Sequence, residues 1–273
     1  MSDVGTETGQ RDFDHVVLTR YNISGRGASR FDKGLDEQWL THRTDIFLRF
    51  CFPSVLAQSA KNFTWLVLLH TDTPPRIRGI LEECSQTCSQ MKLVYVPVLH
   101  RRNLSAIVKR LTTAEFLITS RLDNDDALAV SFVETVQKAF RPAKLEFINL
   151  PNVACYDAVQ GRFYTRLRRS NPFLSLIEER TEAPKTAMFL RHPRAERAFP
   201  VRNVRTRTPM ALTVAHERNL TNTANGCLAS PREMRKHFAL DIAFPEEPPG
   251  LLLRQLSYRF RRGLGRPLAI LRR

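Results

Sequence analysis

The sequence predicts an α/β protein with a mostly parallel central sheet flanked by helices, followed by a short antiparallel region. Three observations predict it. Apolar strand-like runs alternate with helical patterns from residue 13 to about 140, at the spacing of βαβ units. The stretch Glu115–Val130, E-F-L-I-T-S-R-L-D-N-D-D-A-L-A-V, ends one apolar run in three acidic groups. After Arg141-Pro142 the texture changes to short strands punctuated by proline and arginine. The expected organisation is a flexible tail (1–12), a ligand-binding α/β half (13–142), a second half of the same domain (143–244), and a linker with a basic amphipathic tail (245–273).

Taken in order, Asp14–Asn22 reads as a buried strand that empties into the Gly/Ser/Arg-rich loop Ile23–Gly34. That loop lacks G-x-G-x-x-G spacing, which excludes a dinucleotide fingerprint. Leu35–Ala60 is helical by pattern, with Phe47, Phe50, Cys51 and Val55 on an inner stripe. Pro53 suits the first turn of a second helix running to Gln58. Phe63–His70 is the clearest central strand, and Thr71–Pro75 is a turn with Asp72 at its mouth. A helix over Arg76–Cys88, a strand over Lys92–Val98 and a helix over Leu104–Thr112 lead into the strand Phe116–Leu122. Beyond its carboxylates, Ala127, Val130, Val133 and Val136 predict one face of a helix.

In the second half, Leu145–Leu150 and Val153–Val159 read as strands joined at Pro151-Asn152, and Gly161–Arg169 as an edge strand. Asn171–Glu179, opened by Pro172, predicts a short helix carrying Phe173, Leu176 and Ile177. Ala187–Leu190 and Ala211–Ala215 are short strands, and Pro231–Phe238 is a short helix after the polar loop Asn219–Ser230. Pro245–Gly250 is a linker by composition.

With 42% apolar and 25% charged residues among 273, the composition is globular. No apolar run approaches the roughly 20 residues of a membrane span, and the N-terminus lacks the order of a signal peptide, so a cytoplasmic protein is expected. The five scattered cysteines predict reduced thiols rather than a disulfide or zinc framework. A net charge of +15 admits nucleic acid, an anionic membrane or phosphorylated substrates as partners. Nucleic acid is the least supported, because Phe199 is the lone aromatic in the basic run Arg191–Arg207. The tail combines Leu251, Leu252, Leu253, Leu256, Tyr258, Phe260 and Leu264 with seven arginines. It suits either an ordinary terminal helix or peripheral contact with an anionic membrane.

Three groups could carry chemistry. Asp123, Asp125 and Asp126 crowd like charges at a strand end, a cost that Mg2+ or Mn2+ would relieve with phosphate oxygens completing the shell. Asp125 is the best single ligand, and Asp123 suits ribose hydroxyls or a water on the ion. A plainer alternative has Asp125 or Asp126 capping the following helix. His216, opening H-E-R-N-L-T-N after a strand, could complete such a shell, as could His192 more weakly; either could equally be a surface histidine. Arg20, Arg26, Arg30, Lys109, Arg110 and Arg121 are candidates to hold a diphosphate, although each alone also reads as solvated. Asp157, Glu178 and Glu217 are candidate general bases. Serine hydrolase, H-E-x-x-H and Walker motifs are absent from the sequence.

R-F-C-F-P-S-V-L-A-Q-S-A-K-N-F-T-W-L-V-L-L-H-T-D-T-P, then R-L-D-N-D-D-A-L, then H-E-R-N-L-T-N, resembles bacterial rhamnosyltransferases over about residues 14–230. These are glycosyltransferases of the A-type nucleotide-sugar fold. The resemblance implies transfer of a sugar from a nucleoside diphosphate sugar to a glycan or lipid-linked acceptor, with a divalent ion on the diphosphate. It implies that Asp123 and Asp125 fill the motif, that Asp126 is an extra carboxylate, and that His216 matches a late histidine able to reach the metal. Thr19, Arg20 and Asp72 would line the nucleotide pocket. The sequence departs from the family at His70-Thr71-Asp72, where an acidic residue more often stands directly at the strand end. Two other classes remain open at this point, a nucleic-acid-associated basic protein and a nucleotidyl or phosphoryl transferase.

Overall fold

The computed structural model describes residues 12–23, 35–188, 194, 197–216 and 224–264. The expected N-terminal tail, except for Asp12, and nearly all of the Ile23–Gly34 loop, with Arg26 and Arg30, lie outside the described residues.

Four strands run parallel: β1 (Phe13–Arg20), β2 (Thr64–His70), β3 (Met91–Val96) and β4 (Phe116–Arg121). Helix α1 (Glu37–Ile46) continues through a π-helical turn, Phe47–Cys51, into α2 (Phe52–Leu56) on the way to β2. Helices α3 (Pro75–Thr87) and α4 (Arg101–Arg110) make the other two crossovers. Because both faces are covered, β2 is apolar without alternation, and Leu66, Val67, Leu68 and Leu69 are all fully buried. Parallel strands end on one edge, so Arg20, His70 and Arg121 emerge together.

The second half supplies β5 (Ala127–Leu128), α5 (Phe132–Lys138), β6 (Leu145–Asn149), β7 (Asn152–Asp157), β8 (Arg162–Leu167) and β9 (Ser175–Glu179). It continues with β10 (Val201–Asn203), β11 (Ala211–Ala215), β12 (Cys227–Leu228), α6 (Pro231–His237) and α7 (Leu251–Leu264). Among the described residues there are two mixed sheets, ordered β10-β6-β9-β4-β1-β2-β3 and β12-β8-β7-β11-β5. The expected α/β fold is present, and its mostly parallel central sheet with a short antiparallel region takes the form of two mixed sheets. The chain first passes from the large sheet to the small one between β4 and β5, and passes again between β6 and β7 and between β10 and β11.

Three local expectations are also corrected. Ser175–Glu179 is strand β9, not helix: it pairs antiparallel with β4 on one side and β6 on the other, and Leu176 and Ile177 are fully buried. Ladder bonds on both edges outweigh a short helix whose apolar pattern fits either structure. Ala127–Leu128 pairs with β11, so the helix begins only at Phe132. Ala187 and Met188 lie in a turn, and the rest of that expected strand is outside the described residues.

The passage Q-S-A-K-N-F-T-W has a packing reason. Gln58 is fully buried and satisfied: its Nε2 donates to the Ser54 and Ala129 carbonyls, both at 2.8 Å, and its Oε1 accepts from the Val133 amide at 3.0 Å. Trp65, also fully buried, stacks on Phe47 at 5.8 Å between ring centres and donates its indole N–H to Thr19 Oγ1 at 2.9 Å. Gln58 thus clamps the end of α2 to the segment joining β5 and α5. Replacing Gln58 by Leu removes three buried hydrogen bonds, although the Ala129 carbonyl keeps the Phe132 amide at 2.9 Å, and is expected to cost about 2–4 kcal/mol in urea unfolding. Exposed Gln160, changed the same way, should stay within about 0.5 kcal/mol of the parent.

Candidate active site at the junction of the two sheets

The site grows from the segment after β4. Leu122 continues the pairing, its amide donating to the Leu18 carbonyl at 3.0 Å. Asn124 Nδ2 then donates to the Tyr21 carbonyl at 2.8 Å, and the Asp126 amide closes a tight turn on the Asp123 carbonyl at 3.1 Å. Asn124 and Asp126 therefore point inward, while Asp125, largely buried, and the more open Asp123 face the junction.

Asp126 is 3% exposed, and its Oδ1 accepts from the Val214 amide on β11 at 3.1 Å. This bond ties the segment after β4 of the large sheet to β11 of the small one. Burial first, then the neighbouring charges of Asp125 and Asp123, push its carboxyl well above the usual carboxylate range. Two residues beyond Val214, the tie delivers His216, whose Nε2 lies 3.6 Å from Asp125 Oδ2.

On its other side Asp125 meets Arg43 of α1, Nη1 to Oδ2 at 2.5 Å. The Arg43 guanidinium carbon lies 5.0 Å from the centre of the Trp39 ring, and the His42 ring meets the His216 ring edge-on at 5.3 Å. The side chain of Asp36 caps α1, accepting the Trp39 amide at 2.7 Å. Burial alone would raise Asp125, but the His216 ring and the Arg43 guanidinium outweigh it and draw its pKa down to about 2. Neither ring nitrogen of His216 has a hydrogen-bond partner, although both are buried.

Asp123 is more open. Arg121 grips it with Nη2 at 2.9 Å and Nε at 3.2 Å, and Arg20 Nη2 stands 3.9 Å away. The same edge carries Asp72, whose carboxylate is exposed and whose amide donates to His70 Nδ1 at 3.0 Å. Asn22 joins the two strand ends, accepting the His70 amide at 3.1 Å and donating to Thr73 Oγ1 at 3.0 Å. Thr19 lies one layer below, fully buried under Trp65.

Asp157 ends β7 in register with Ala215, one residue before His216. Its Oδ1 accepts the amides of Val159 at 3.1 Å and Gln160 at 3.0 Å, shaping the turn to β8. Glu178 is elsewhere. It pairs in register with Leu117 on β4, six residues before Asp123 and about 20 Å away along an extended chain. Its buried carboxylate accepts the Lys185 and Thr186 amides, and burial raises its pKa against those two bonds. Lys109, ion-paired with Glu182, and Arg110 close α4 at the opposite edge of the sheet, where β4 begins. The structure does not bring these three to the junction. His192 and Glu217 lie outside the described residues.

Arg43 and His42 were not among the sequence candidates. Both sit in an ordinary polar helix pattern, and only the fold turns that face towards Asp125. As ligands, the Asp125 carboxylate and the unsatisfied His216 imidazole suit Mg2+ or Mn2+ by donor type, although Arg43 shares the same carboxylate oxygen. Among the described residues no three His, Cys, Asp or Glu side chains form a metal-holding group. Two protein ligands with the remainder from phosphate oxygens is the usual manner of binding Mg2+, so the residues fit a cation that arrives with a diphosphate.

The junction of the two sheets of this α/β fold thus gathers carboxylates and arginines at one strand edge. Residues 14–227 match the family described as "Putative rhamnosyl transferase", and the chain belongs to that glycosyltransferase family. No curated protein sequence matches the chain significantly. Among solved structures, S. aureus TarS 1–349 in complex with UDP is 11% identical, with 75% of this chain covering 61% of that one at a TM-score of 0.43. The same protein with UDP-GlcNAc gives 14% identity, 82% and 63% coverage, and a TM-score of 0.42. The mannosyltransferase PcManGT from Pyrobaculum calidifontis, in complex with GDP-Man and Mn2+, gives 9%, 78%, 59% and 0.41. The chain spans about three-fifths of the length of these structures, and the likenesses are distant.

The two carboxyls predict opposite pH behaviour. Asp126 titrates higher folded than unfolded, so its contribution is complete below about pH 4 and is lost as pH rises. Asp126→Asn keeps an acceptor for Val214 without that loss. The variant should gain stability relative to the parent between about pH 4 and 7 in urea melts, and a constant difference across that window would contradict the assignment. Asp125 titrates lower when folded, so its contribution is present above about pH 4 and lost towards pH 2. Asp125→Asn should flatten that acid limb.

Proposed function

We propose that the protein transfers a sugar, rhamnose by its family, from a nucleoside diphosphate sugar to a hydroxyl of a glycan or lipid-linked acceptor. The observation that carries this reading is Asp125 held between Arg43 and His216 where the strand ends of two sheets meet. Family membership supports the reaction class.

In this reading the diphosphate lies along the edge lined by Arg20, Arg121 and Arg43. These guanidiniums are already positioned by carboxylates and need little reorganisation to accept phosphate oxygens. Asp123 faces the ribose hydroxyls, and Asp72 stands at the same edge for the nucleoside. Asp125 and His216 would hold a divalent ion, which when bound supplies positive charge to the departing diphosphate. The acceptor oxygen bonds to the anomeric carbon as the bond from that carbon to the diphosphate oxygen breaks. The hydroxyl proton passes to a carboxylate. Asp157, in register beside the residue before His216, is our choice over Glu178, which lies beside Leu117, about 20 Å from Asp123 along the strand. One displacement with such a base inverts the anomeric centre.

A donor that binds the folded protein must raise its melting temperature. A panel of nucleoside diphosphate sugars, each with and without Mn2+, should contain at least one that does so and is turned over. Asp125→Ala and His216→Ala should each cut kcat by about 100-fold or more. No shift with any donor, or turnover undiminished in Asp125→Ala, would defeat the proposal.

A further inference from the structure

The terminal helix α7 is docked by one face and leaves another bare. Leu251 is 8% exposed, and Gln255 Nε2 donates to the Leu228 carbonyl of β12 at 3.0 Å. These residues fix the helix on the rim of the small sheet. Leu252, Leu253, Leu256 and Phe260 are instead 75%, 73%, 60% and 68% exposed. At 3.6 residues per turn the four fall within an arc of about 100°, so they form one continuous apolar stripe. Of the seven large hydrophobic side chains exposed among the described residues, four belong to this stripe.

The surrounding charge is one-sided. Leu251–Arg273 contains seven arginines and no aspartate or glutamate. Arg254 is exposed about 100° further round the helix than Leu253, and the sequence adds Arg259, Arg261 and Arg262 within the helix. The acidic residues nearest in sequence, Glu246 and Glu247, precede the helix, and Glu247 is engaged by Ser230 Oγ at 2.9 Å. A helix of 14 residues spans about 21 Å, too short to cross a bilayer, and no helix among the described residues is long and apolar enough to do so.

We infer that α7 is an in-plane membrane anchor. Its Leu252–Leu253–Leu256–Phe260 stripe enters the acyl boundary of an anionic phospholipid surface while its arginines meet the headgroups. Charge complementarity selects this occupant. A second copy would bring two arginine clusters together on a chain of net charge +15. A polynucleotide would satisfy the arginines but leave an aliphatic row in water, since such ligands use stacked aromatics. An anionic bilayer satisfies both. The inference rests on the helix alone and stands or falls independently of the transfer reaction.

The test uses the full chain and vesicles of phosphatidylcholine with or without about 30% phosphatidylglycerol, read by co-sedimentation. Expected is binding to the anionic vesicles at least about tenfold tighter than to the neutral ones, weakening as salt rises from about 0.1 to 0.5 M. Leu253→Glu with Leu256→Glu, exposed positions whose change leaves the circular dichroism spectrum intact, should reduce that binding by about tenfold or more. Equal binding to neutral vesicles, or undiminished binding by the double variant, would overturn the anchor. So would absence of vesicle binding, whether or not the chain dimerises through the stripe or binds an oligonucleotide instead.

Discussion

The hydrogen bond from the Val214 amide to the buried carboxyl of Asp126 is the constraint on which the site depends. It joins the segment after β4 to β11 and, with the pairing of β5 on β11, sets where the two sheets meet. Asp125 is the neighbour of one partner and His216 follows the other by two residues, so the bond also sets their separation. A buried carboxyl is costly unless paired or neutral, and here its raised pKa keeps the charged form disfavoured. Ala127, next to it in the chain, belongs with Leu212 and Val214 to the buried apolar core of the small sheet.

Much of the first half could be read from the sequence because its signals are local. Continuous apolar runs mark strands covered on both faces, and the acidic residues after Phe116–Leu122 mark a strand end where burial stops. What escaped reading is set by distant partners. Ser175–Glu179 becomes a strand because β4 and β6 each offer an open edge, a fact no window of nearby residues contains. Ala127–Leu128 leaves its helical pattern because β11 pairs with it.

The site divides the same way. Asp123, Asp125 and His216 stand out because charged or imidazole groups at strand ends are unusual. Arg43 and His42 do not, since a polar helix face is ordinary until a partner is known. Lys109 and Arg110 illustrate the reverse error: basic residues near β4 in sequence were grouped with its acidic end. A crossover helix runs against its strands, so its last turn returns to the opposite edge. The direction of α4 alone would have separated them.

The position of β9 has a consequence for synthesis on the ribosome. This strand comes from the second half of the chain yet lies between β4 and β6 in the large sheet. Until residue 179 has emerged, β4 has one open edge and β6 has no neighbour to join it to the rest. At translation rates of roughly 5–20 residues per second, the nascent chain carries that unpaired ladder for seconds. Residues 13–142, although they contain four parallel strands and their crossovers, form an unfinished sheet rather than a module that could be cut out or recombined.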